Sequence, residues 1–386
     1  MDKCDTETAT ILVTGASGFV GQMLVPRLVH LGFEVIVIGR NKDRLRELYP
    51  EIPNLSYDEL FRFESEANLL IHLATANNSA DINKDDFTTV NVNLTLKLAN
   101  YVRTSNVRHF INVTSVHALK YGTDTPYATS KRSAINALAE ISGLSYSNLF
   151  LPAVYGDRYS GNLSVLNRFT GRPKSILFEI VAAYRPTVNI DKLVAALSQA
   201  AEFENLDDII ITDGQSQNTV YKCAKRAIDI SAAAFIIFFF WWLLVLLWLI
   251  VKISSPGPAI FAQKRVGRFG FIYTCYKFRT MRIDTDDVGT HEVPPSSVTS
   301  VGRFLRKTKL DELPQVLNLL FNDMSLVGPR PSLPMQTELN SARKTLNVDS
   351  VKPGITGLAQ INGVDMSTPH YLSCVDAEYV SLQSIN

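Results

Sequence analysis

Two groups of residues in this 386-residue chain have types and spacings that suit chemistry, and the first is built around a tyrosine. Ser115 ends an apolar segment, and Tyr127 and Lys131 follow it, four residues apart. On a helix that spacing places the phenol and the ammonium on one face. A nearby ammonium lowers the pKa of a phenol, so Tyr127 could act as an acid or base near neutrality while Ser115 hydrogen-bonds the same carbonyl or hydroxyl. The alternative is a surface Tyr and Lys with a helix-capping Ser.

The second group is a pair of adjacent carboxylates, Asp311 and Glu312, directly behind a run of basic side chains. Such a pair suits Mg²⁺ and a diphosphate, because metal and arginines offset phosphate charge while a carboxylate can attack phosphorus. Arg279 and Arg330 stand near Gly and Pro, where a rigid backbone could aim a guanidinium at phosphate oxygens. Residues 252–309 contain eleven basic and four acidic side chains, so a patch adhering to anionic lipid is the alternative. Nucleic acid is disfavoured, because no base-stacking aromatic pattern accompanies the charge.

A strand that runs into a glycine-rich turn and then a helix would position the first group. The segment TILVTGASGFVG contains Gly15, Gly18 and Gly21, which permit a tight turn, close approach of backbone to a pyrophosphate, and tight helix–strand packing. A second strand, EVIVIGR, ends in Arg40 rather than in the acid that binds a ribose 2′-hydroxyl, which favours a 2′-phosphate. The apolar segment LLIHLAT is typical of a buried parallel strand. We therefore predict an α/β fold with a Rossmann-type doubly wound parallel sheet, and NADP or NAD as its cofactor.

A run of apolar residues divides the chain. Residues 232–251 read AAAFIIFFFWWLLVLLWLIV, which as a helix is about 30 Å long, enough for a bilayer core. A buried core helix rarely lacks a polar stripe over such a length. Up to residue 220 the chain has 20 basic and 24 acidic residues, and beyond it 18 and 13, so the net charge of +1 averages two dissimilar halves. We predict a dinucleotide-binding domain (1–220), a membrane helix (221–254) and a small, mostly α catalytic domain (255–386).

The composition excludes several other classes of protein. With 46% hydrophobic and 19% charged residues, the chain does not have the composition of a disordered protein. Four scattered cysteines are too few for a small disulfide scaffold. Their spacing also does not match that of a structural zinc site.

The first half resembles the extended short-chain dehydrogenase/reductase family of nucleotide-sugar epimerases, dehydratases and reductases. The resemblance covers about residues 9–217 and rests on TGASGFVG, HLAT, NVNLTLKLA, LPAVYGD, PTVNIDKLVAAL and the Ser–Tyr–Lys group. It implies that Tyr127 donates a proton, Lys131 grips the nicotinamide ribose and Ser115 orients the substrate. The stretch VYGDRYSGNLSVLNRF is more similar to reductases of UDP-4-keto-6-deoxy-N-acetylhexosamines than to galactose epimerase. The substrate-binding end is shorter than is usual in the family.

The second half resembles the bacterial sugar transferases, monotopic phosphoglycosyl transferases that begin glycan assembly on polyprenyl phosphate. SSPGP, KFRTM, LDELPQ, DMSLVGPRP and KPGITGLAQ occur in order within residues 222–380. The resemblance implies that Asp311 is a nucleophile that displaces UMP from a UDP-sugar, and that polyprenyl phosphate then attacks the phosphosugar–enzyme intermediate. Glu312 would help to hold Mg²⁺. Arg226 and Asp229 match the basic and acidic positions at the entrance of the membrane helix.

Together the two halves suggest a bifunctional enzyme of O-antigen, capsule or exopolysaccharide initiation at the bacterial inner membrane. Reductase cofactor and UDP-sugar are both cytoplasmic, so we expect both soluble parts on that side and a helix that re-enters rather than spans. Relatives break this helix with Ser-Pro, whereas this chain has Trp241-Trp242 and no Pro or Gly in the run, so the usual cause of a kink is missing. Two alternatives stay open for the first half: a UDP-sugar 4-epimerase, or a non-catalytic nucleotide-sugar-binding module. Homo-oligomerisation is compatible with either.

Overall fold

The computed structural model describes residues 9–63, 66–75, 87–119, 125–202, 207–282 and 297–385. The chain forms two compact units that meet between Gly214 and Gln215. The first unit therefore ends six residues before the boundary predicted at residue 220. The predicted membrane helix belongs to the second unit.

The first unit is built on a parallel sheet. Seven strands, in the order β3-β2-β1-β4-β5-β6-β9, form this sheet within the described residues, and β7 pairs with β8 beside it. The order reverses at β1, which lies between β2 and β4, and ligands of such sheets bind outside the carboxyl ends of the strands at this point. The strands of this unit are β1 (Thr10–Thr14), β2 (Glu34–Ile38), β3 (Asn54–Leu55), β4 (Ala67–His72), β5 (Val107–Ser115), β6 (Tyr146–Leu151), β7 (Ala153–Tyr155), β8 (Thr187–Asn189) and β9 (Ile209–Ile210).

Helices cover both faces of this sheet, which explains why its strands are continuously apolar. In β1, Ile11 and Val13 face a core that includes Leu24, whereas Leu12 faces another core that includes Leu98. The predicted doubly wound sheet is therefore confirmed. The helices of this unit are α1 (Phe19–His30), α2 (Lys42–Leu48), α3 (Tyr57–Leu60), α4 (Leu94–Thr104), α5 (Pro126–Ala139), α6 (Gly171–Tyr184) and α7 (Ile190–Glu202).

The second unit combines short helices and two pairs of short strands around one long helix. β10 and β11 form an antiparallel ribbon, and β12 pairs with β13 in parallel. Its elements are α8 (Thr219–Ser254), β10 (Ile260–Val266), β11 (Ile272–Phe278), α9 (Ser300–Thr308), α10 (Val316–Leu320), β12 (Ser325–Val327), α11 (Thr337–Thr345), β13 (Gly354–Thr356), α12 (Leu358–Ile361) and α13 (Pro369–Leu382).

Helix α8 contains the apolar run and leaves most of it uncovered. In its most apolar window only 11% of the residues are buried, and the Phe238 side chain is 74% exposed. This exposure excludes a buried core helix. The helix is long and apolar enough to cross a membrane.

Both ends of α8 nevertheless pack on the second unit. In the first half, Ala233 lies in a cluster with Cys275 and Val316, and in the second half Leu247 lies in a cluster with Phe278. The buried Asp229 carboxylate accepts hydrogen bonds from Ser325 Oγ and the Leu326 amide, at 3.0 and 2.7 Å. Arg226 donates to the carbonyls of Leu319 and Leu320 at the end of α10.

The two halves of α8 meet at a break. Phe240 has φ −120° and ψ 17°, outside the helical region. The indole Nε1–H of Trp242 donates to the carbonyl of Phe239, 3.0 Å away, and so provides a partner for a carbonyl next to the break. The run contains no Pro or Gly, the usual causes of a kink, and a side chain that enters the helix hydrogen-bond ladder is another cause.

We predict that Trp242→Phe destabilises the backbone conformation at the break, because phenylalanine keeps an aromatic ring but lacks the N–H that bonds the Phe239 carbonyl. Loss of one hydrogen bond of about 1 kcal/mol should accelerate amide exchange over residues 238–244 roughly fivefold in detergent-solubilised protein. Trp241→Phe is the matched control and should leave the exchange rates unchanged. Equal rates in both variants would show that the indole bond does not hold the break.

Two candidate active sites

The glycine-rich turn lies where the sheet reverses its order. Gly15 follows β1 with φ +73°, and a Cβ there would lie 2.5 Å from the Ala74 amide nitrogen, after β4. A Cβ at Gly21 would lie 2.6 Å from the Ala16 backbone, so this glycine lets α1 pack against the turn. The Gly18 amide donates to the Gly15 carbonyl at 3.0 Å and closes the turn. The roles predicted for Gly15 and Gly21, a tight turn and close packing, match this geometry.

Arg40 lies just after β2 at the same edge of the sheet, and its side chain is exposed. Its charge reaches the buried Tyr57 phenol: burial raises the pKa of Tyr57, and Arg40 acts against that rise. An exposed guanidinium just after the carboxyl end of β2 could contact a 2′-phosphate.

Ser115, Tyr127 and Lys131 come together as the sequence predicts. Ser115 ends β5, and Tyr127 and Lys131 lie on α5, where Pro126 occupies the first turn. The Ser115 side chain lies close enough to the Tyr127 phenol to lower its pKa. The Lys131 side chain is 4% exposed.

The expected effect of Lys131 on Tyr127 is wrong in this structure. Burial raises the pKa of the Tyr127 phenol, and the nearby Ser115 side chain only partly offsets the rise. Burial also lowers the pKa of Lys131 to about 8. Desolvation of the buried phenol and ammonium, which spacing along the chain does not show, outweighs the effect expected from the ammonium charge. A phenol with a raised pKa stays protonated at neutral pH and is a proton donor.

A buried polar network behind this group was missed by the sequence analysis. His72, at the end of β4, contacts Thr14 Oγ1 at 2.8 Å and Thr95 Oγ1 at 3.0 Å, and burial lowers its pKa to about 3. Asn91 Nδ2 donates to Ser130 Oγ at 3.0 Å, and Ser130 Oγ donates to the Tyr127 carbonyl at 2.9 Å. The network therefore fixes the first turn of α5 against the sheet. A polar residue within an apolar strand, such as His72 in β4, is the feature of the sequence that could have indicated this network.

The carboxylate pair lies on a short 3₁₀ turn, Leu310–Gln315, after α9. Lys309 reverses the chain there with φ +60°. Glu312 Oε1 lies 3.4 Å from Lys277 Nζ and 3.3 Å from Arg330 Nη2. Burial raises the pKa of Glu312, but the charges of Lys277 and Arg330 outweigh that effect and lower it. Glu312 is therefore an ionised carboxylate held between two cations.

Asp311 is in a different electrostatic state. Its side chain is buried, and Oδ1 has no hydrogen-bond partner in the described part of the chain. Burial raises the pKa of Asp311, and the negative charge of Glu312 raises it further, against Lys277 and Arg306. An unpartnered carboxylate oxygen beside cations is available to attack an electrophile.

The two arginines predicted to bind phosphate have different surroundings. Arg279 is buried after β11 and donates from Nη2 to the carbonyl and hydroxyl oxygens of Ser255, at 2.7 and 2.8 Å. Its Nε and Nη1 are buried and have no hydrogen-bond partner among the described residues. Arg330 instead contacts Glu312, and Arg343 holds the Arg330 carbonyl at 2.9 Å. Both guanidinium groups lie in the second unit, and the N–H groups of Arg279 could satisfy a phosphate.

A cavity of about 720 Å³ opens beside Glu312. Its polar wall includes Arg265, Lys309 and Arg330, and its apolar wall includes Ile236 of helix α8. Charged and apolar surfaces thus meet in one cavity, as binding of an amphiphilic phosphate requires. Lys277 and Arg265 lie on the ribbon strands and were not predicted from the sequence, because only the fold brings Lys277 to Glu312 and Arg265 to the same cavity.

No group of three or more His, Cys, Asp or Glu side chains suited to a metal occurs among the residues that the structure describes. The Asp311–Glu312 pair still fits Mg²⁺, which usually binds through one or two carboxylates together with substrate phosphates and water. Oδ1 of Asp311 is a buried acceptor without a partner in the ranges that the structure describes, in keeping with such a cation. Both cationic contacts of Glu312 fall on Oε1.

Comparison with known families covers both units. Residues 11–208 match the family model of the NAD dependent epimerase/dehydratase family, and residues 220–386 match that of bacterial sugar transferases. A sugar transferase of Bacillus subtilis, EpsL, whose activity is uncharacterised, is 42% identical over 143 residues, which are 36% of this chain and 68% of that protein. The chain belongs to both families.

For two other relatives, the match covers only part of the relative's own length. The UDP-glucose:undecaprenyl-phosphate glucose-1-phosphate transferase of Caulobacter vibrioides is 45% identical over 144 residues, 36% of this chain and 54% of that protein. The Escherichia coli protein of the same name is 45% identical over 150 residues, 37% of this chain and 32% of its own length. The chain thus spans about half and a third of these two relatives.

Solved structures similar to this chain include MoeE5 in complex with UDP-glucose and NAD, with 20% identity and a TM-score of 0.42, over 53% of this chain and 77% of that one. A UDP-glucose 4-epimerase from Thermotoga maritima, solved with UDP-glucose, has 20% identity and a TM-score of 0.41, over 53% and 76%.

We predict that Gly15→Ala destabilises the first unit by about 3 kcal/mol, because the new methyl group adds a backbone clash to an unfavourable left-handed φ. Gly143→Ala is the matched control, since its φ of +75° is similar but a Cβ there meets no atom within 4 Å. That control should cost only about 1 kcal/mol. Hydrogen exchange of the β1 and β4 amides in the full chain measures both values; equal losses would contradict the close contact with Ala74.

Proposed function

We propose that the protein transfers a phosphosugar from a UDP-sugar to polyprenyl phosphate, and that its first unit reduces a UDP-4-keto-6-deoxy-N-acetylhexosamine. The observation that carries the transferase proposal is Asp311. It is a buried carboxylate with an oxygen that has no partner among the described residues, next to a Glu312 that is already neutralised by Lys277 and Arg330. Membership of the bacterial sugar transferase family supports the same reaction.

In the first step, an Asp311 carboxylate oxygen attacks the phosphorus that carries the sugar. The P–O bond to UMP breaks, and the bridging oxygen leaves with UMP as its electron pair departs. The product is a mixed anhydride between Asp311 and the phosphosugar. Desolvation of the carboxylate in its buried site strengthens it as a nucleophile.

In the second step, a phosphate oxygen of polyprenyl phosphate attacks the same phosphorus, and the Asp311 carboxylate leaves. A polyprenyl-diphosphate sugar is released and Asp311 is regenerated. Arg279, with two buried N–H groups lacking partners among the described residues, is the donor that we assign to a phosphate, and Arg330 is the second. Mg²⁺, held by Glu312, would offset the charge of the diphosphate and of the leaving UMP.

In the first unit, we assign to Tyr127 the donation of a proton to the oxygen of the 4-keto group. Burial keeps its phenol protonated, which suits a donor. A hydride from NADPH or NADH would complete the reduction, with Lys131 on the nicotinamide ribose and Ser115 on the substrate oxygen. An epimerase would require Tyr127 to act also as a base.

Because Asp311 must be ionised to attack, we predict that transfer is lost with falling pH at a higher pH than for an ordinary aspartate. Glu312→Gln removes a negative charge that raises the pKa of Asp311, so the acidic limb should move to lower pH even though the rate falls. The exposed Glu338→Gln is the control and should leave the limb in place. A limb that stays fixed in Glu312→Gln would contradict this role of Asp311.

One assay with two reciprocal variants tests both activities. The full chain, with polyprenyl phosphate, Mg²⁺ and a panel of UDP-sugars, should release UMP, and with the 4-keto sugar it should consume NADPH stoichiometrically. Asp311→Asn should abolish UMP release and leave NADPH oxidation intact. Tyr127→Phe should abolish NADPH oxidation and leave UMP release intact. Unchanged UMP release in Asp311→Asn would refute the covalent mechanism.

The same assay separates the alternatives for the first unit. Conversion of a UDP-sugar to its 4-epimer without net NADPH consumption would identify an epimerase. No dinucleotide binding in a fluorescence titration would favour a regulatory nucleotide-sugar-binding module.

We also propose that α8 enters the cytoplasmic face of the bacterial inner membrane and returns to it. The break at Phe240 and the packing of both halves on the second unit support this topology. Single cysteines at Lys222 and Lys252, in a background without other accessible cysteines, should both be labelled from the cytoplasmic side. Labelling from opposite sides would show that the helix spans.

A further inference from the structure

Helix α6 of the first unit is poorly covered by the rest of its unit. Of its fourteen residues, only Ala182 and Ala183 are buried. Lys174 and Phe178 lie on the same inner face: the Phe178 ring is 4.6 Å from that of Tyr155, and Lys174 Nζ is 4.8 Å from the centre of the Tyr159 ring. Through this face, α6 packs against the rest of the first unit.

The opposite face is apolar and exposed. Ile176, Ile180 and Tyr184 recur every four residues and are 59%, 38% and 50% exposed. Such spacing places them in one stripe along the helix. In the preceding turn, Val165 and Phe169 are 55% and 38% exposed. An apolar stripe of this length on a globular unit marks a surface that binds something.

The ends of this stripe are basic. Arg168, Arg172 and Arg185 are exposed, and Arg172 continues the four-residue spacing of the stripe. Of the four basic side chains in residues 161–186, these three lie at the ends of the stripe and Lys174 lies on the inner face, and the segment has only one acidic side chain. Positive charge is therefore concentrated on this surface.

We propose that the outer face of α6 docks on the anionic surface of a lipid bilayer. An apolar stripe with arginines at its edges has the composition of helices that lie in a membrane interface. The aromatic side chains Phe169 and Tyr184 suit the headgroup level, where amphipathic rings are enriched. The proposal rests on the membrane association proposed for α8, which would hold the first unit near the bilayer so that a weak contact suffices.

A second copy of the chain is a poorer occupant. A symmetric dimer places the same patch of both copies face to face. Arg168, Arg172 and Arg185 of one copy would then meet their own counterparts, and like charges in contact disfavour the complex. A leaflet with anionic headgroups supplies the opposite charge and an apolar layer beneath it.

A nitroxide at Ile180→Cys, in the full chain with accessible cysteines replaced by serine, tests the docking. In vesicles with phosphatidylglycerol, collisions with O₂ should increase and collisions with a polar nickel complex should decrease relative to phosphatidylcholine vesicles. Each arginine at an anionic surface contributes roughly fivefold to binding, so Arg168→Glu with Arg172→Glu should lower the docked-to-free ratio by about 25-fold or more. Lys97→Glu with Arg103→Glu, on the exposed side of α4, is the matched control and should leave the ratio unchanged.

Equal access of the nickel complex in both kinds of vesicle would overturn the proposal. Dipolar broadening between labels that increases with protein concentration would overturn it in favour of a dimer, and protection by a UDP-sugar alone would overturn it in favour of a substrate site. Co-sedimentation of the chain with vesicles, measured on the same samples, reports the insertion of α8 independently. A chain that sediments but leaves the label exposed contradicts only the role of α6.

Discussion

The second unit depends on the neutralisation of two adjacent buried carboxylates. Asp311 and Glu312 repel each other, and neither charge is stable away from water without compensation. Lys277 and Arg330 supply that compensation to Glu312 from elements far away in the sequence. The ribbon of β10 and β11 and the segment after β12 must therefore pack at the 3₁₀ turn. The two cations contact Glu312 and not Asp311. Glu312 is therefore held in place, whereas Asp311 keeps an oxygen without a partner in the described part of the chain.

Further buried polar contacts hold the residues around Glu312 in position. Arg330 is positioned through its own backbone, since Arg343 donates to its carbonyl at 2.9 Å. Arg343 in turn contacts Asp376 of α13 at 2.6 Å, in an ion pair that is almost completely buried. Removing one partner of such a pair leaves a buried charge uncompensated. The last helix is thereby connected to the geometry around Glu312, although it contributes no side chain there among the contacts described.

Helix α8 follows the same rule in an apolar setting. A break in an apolar helix frees backbone carbonyls, and these groups need hydrogen-bond partners wherever water does not reach them. Trp242 provides one to Phe239, and Asp229 attaches the polar beginning of the helix to β12. The Trp242 indole thus lies at a break that no proline or glycine marks. The sequence does not predict this hydrogen bond, because the Trp242 indole N–H reaches the Phe239 carbonyl only in the folded geometry of the break.

Several features were determined by local sequence. The apolar strands and the glycine spacing predicted the parallel sheet and the turn around Gly15, because strand burial and a positive φ are local requirements. The same holds for the helix that carries Tyr127 and Lys131, with Pro126 in its first turn. Tertiary structure alone decided which charges meet and how far each is removed from water. Burial reversed the expected direction of the Tyr127 pKa, and long-range packing selected Lys277 as a partner of Glu312, because desolvation and Coulomb energy depend on distances that spacing along the chain does not specify.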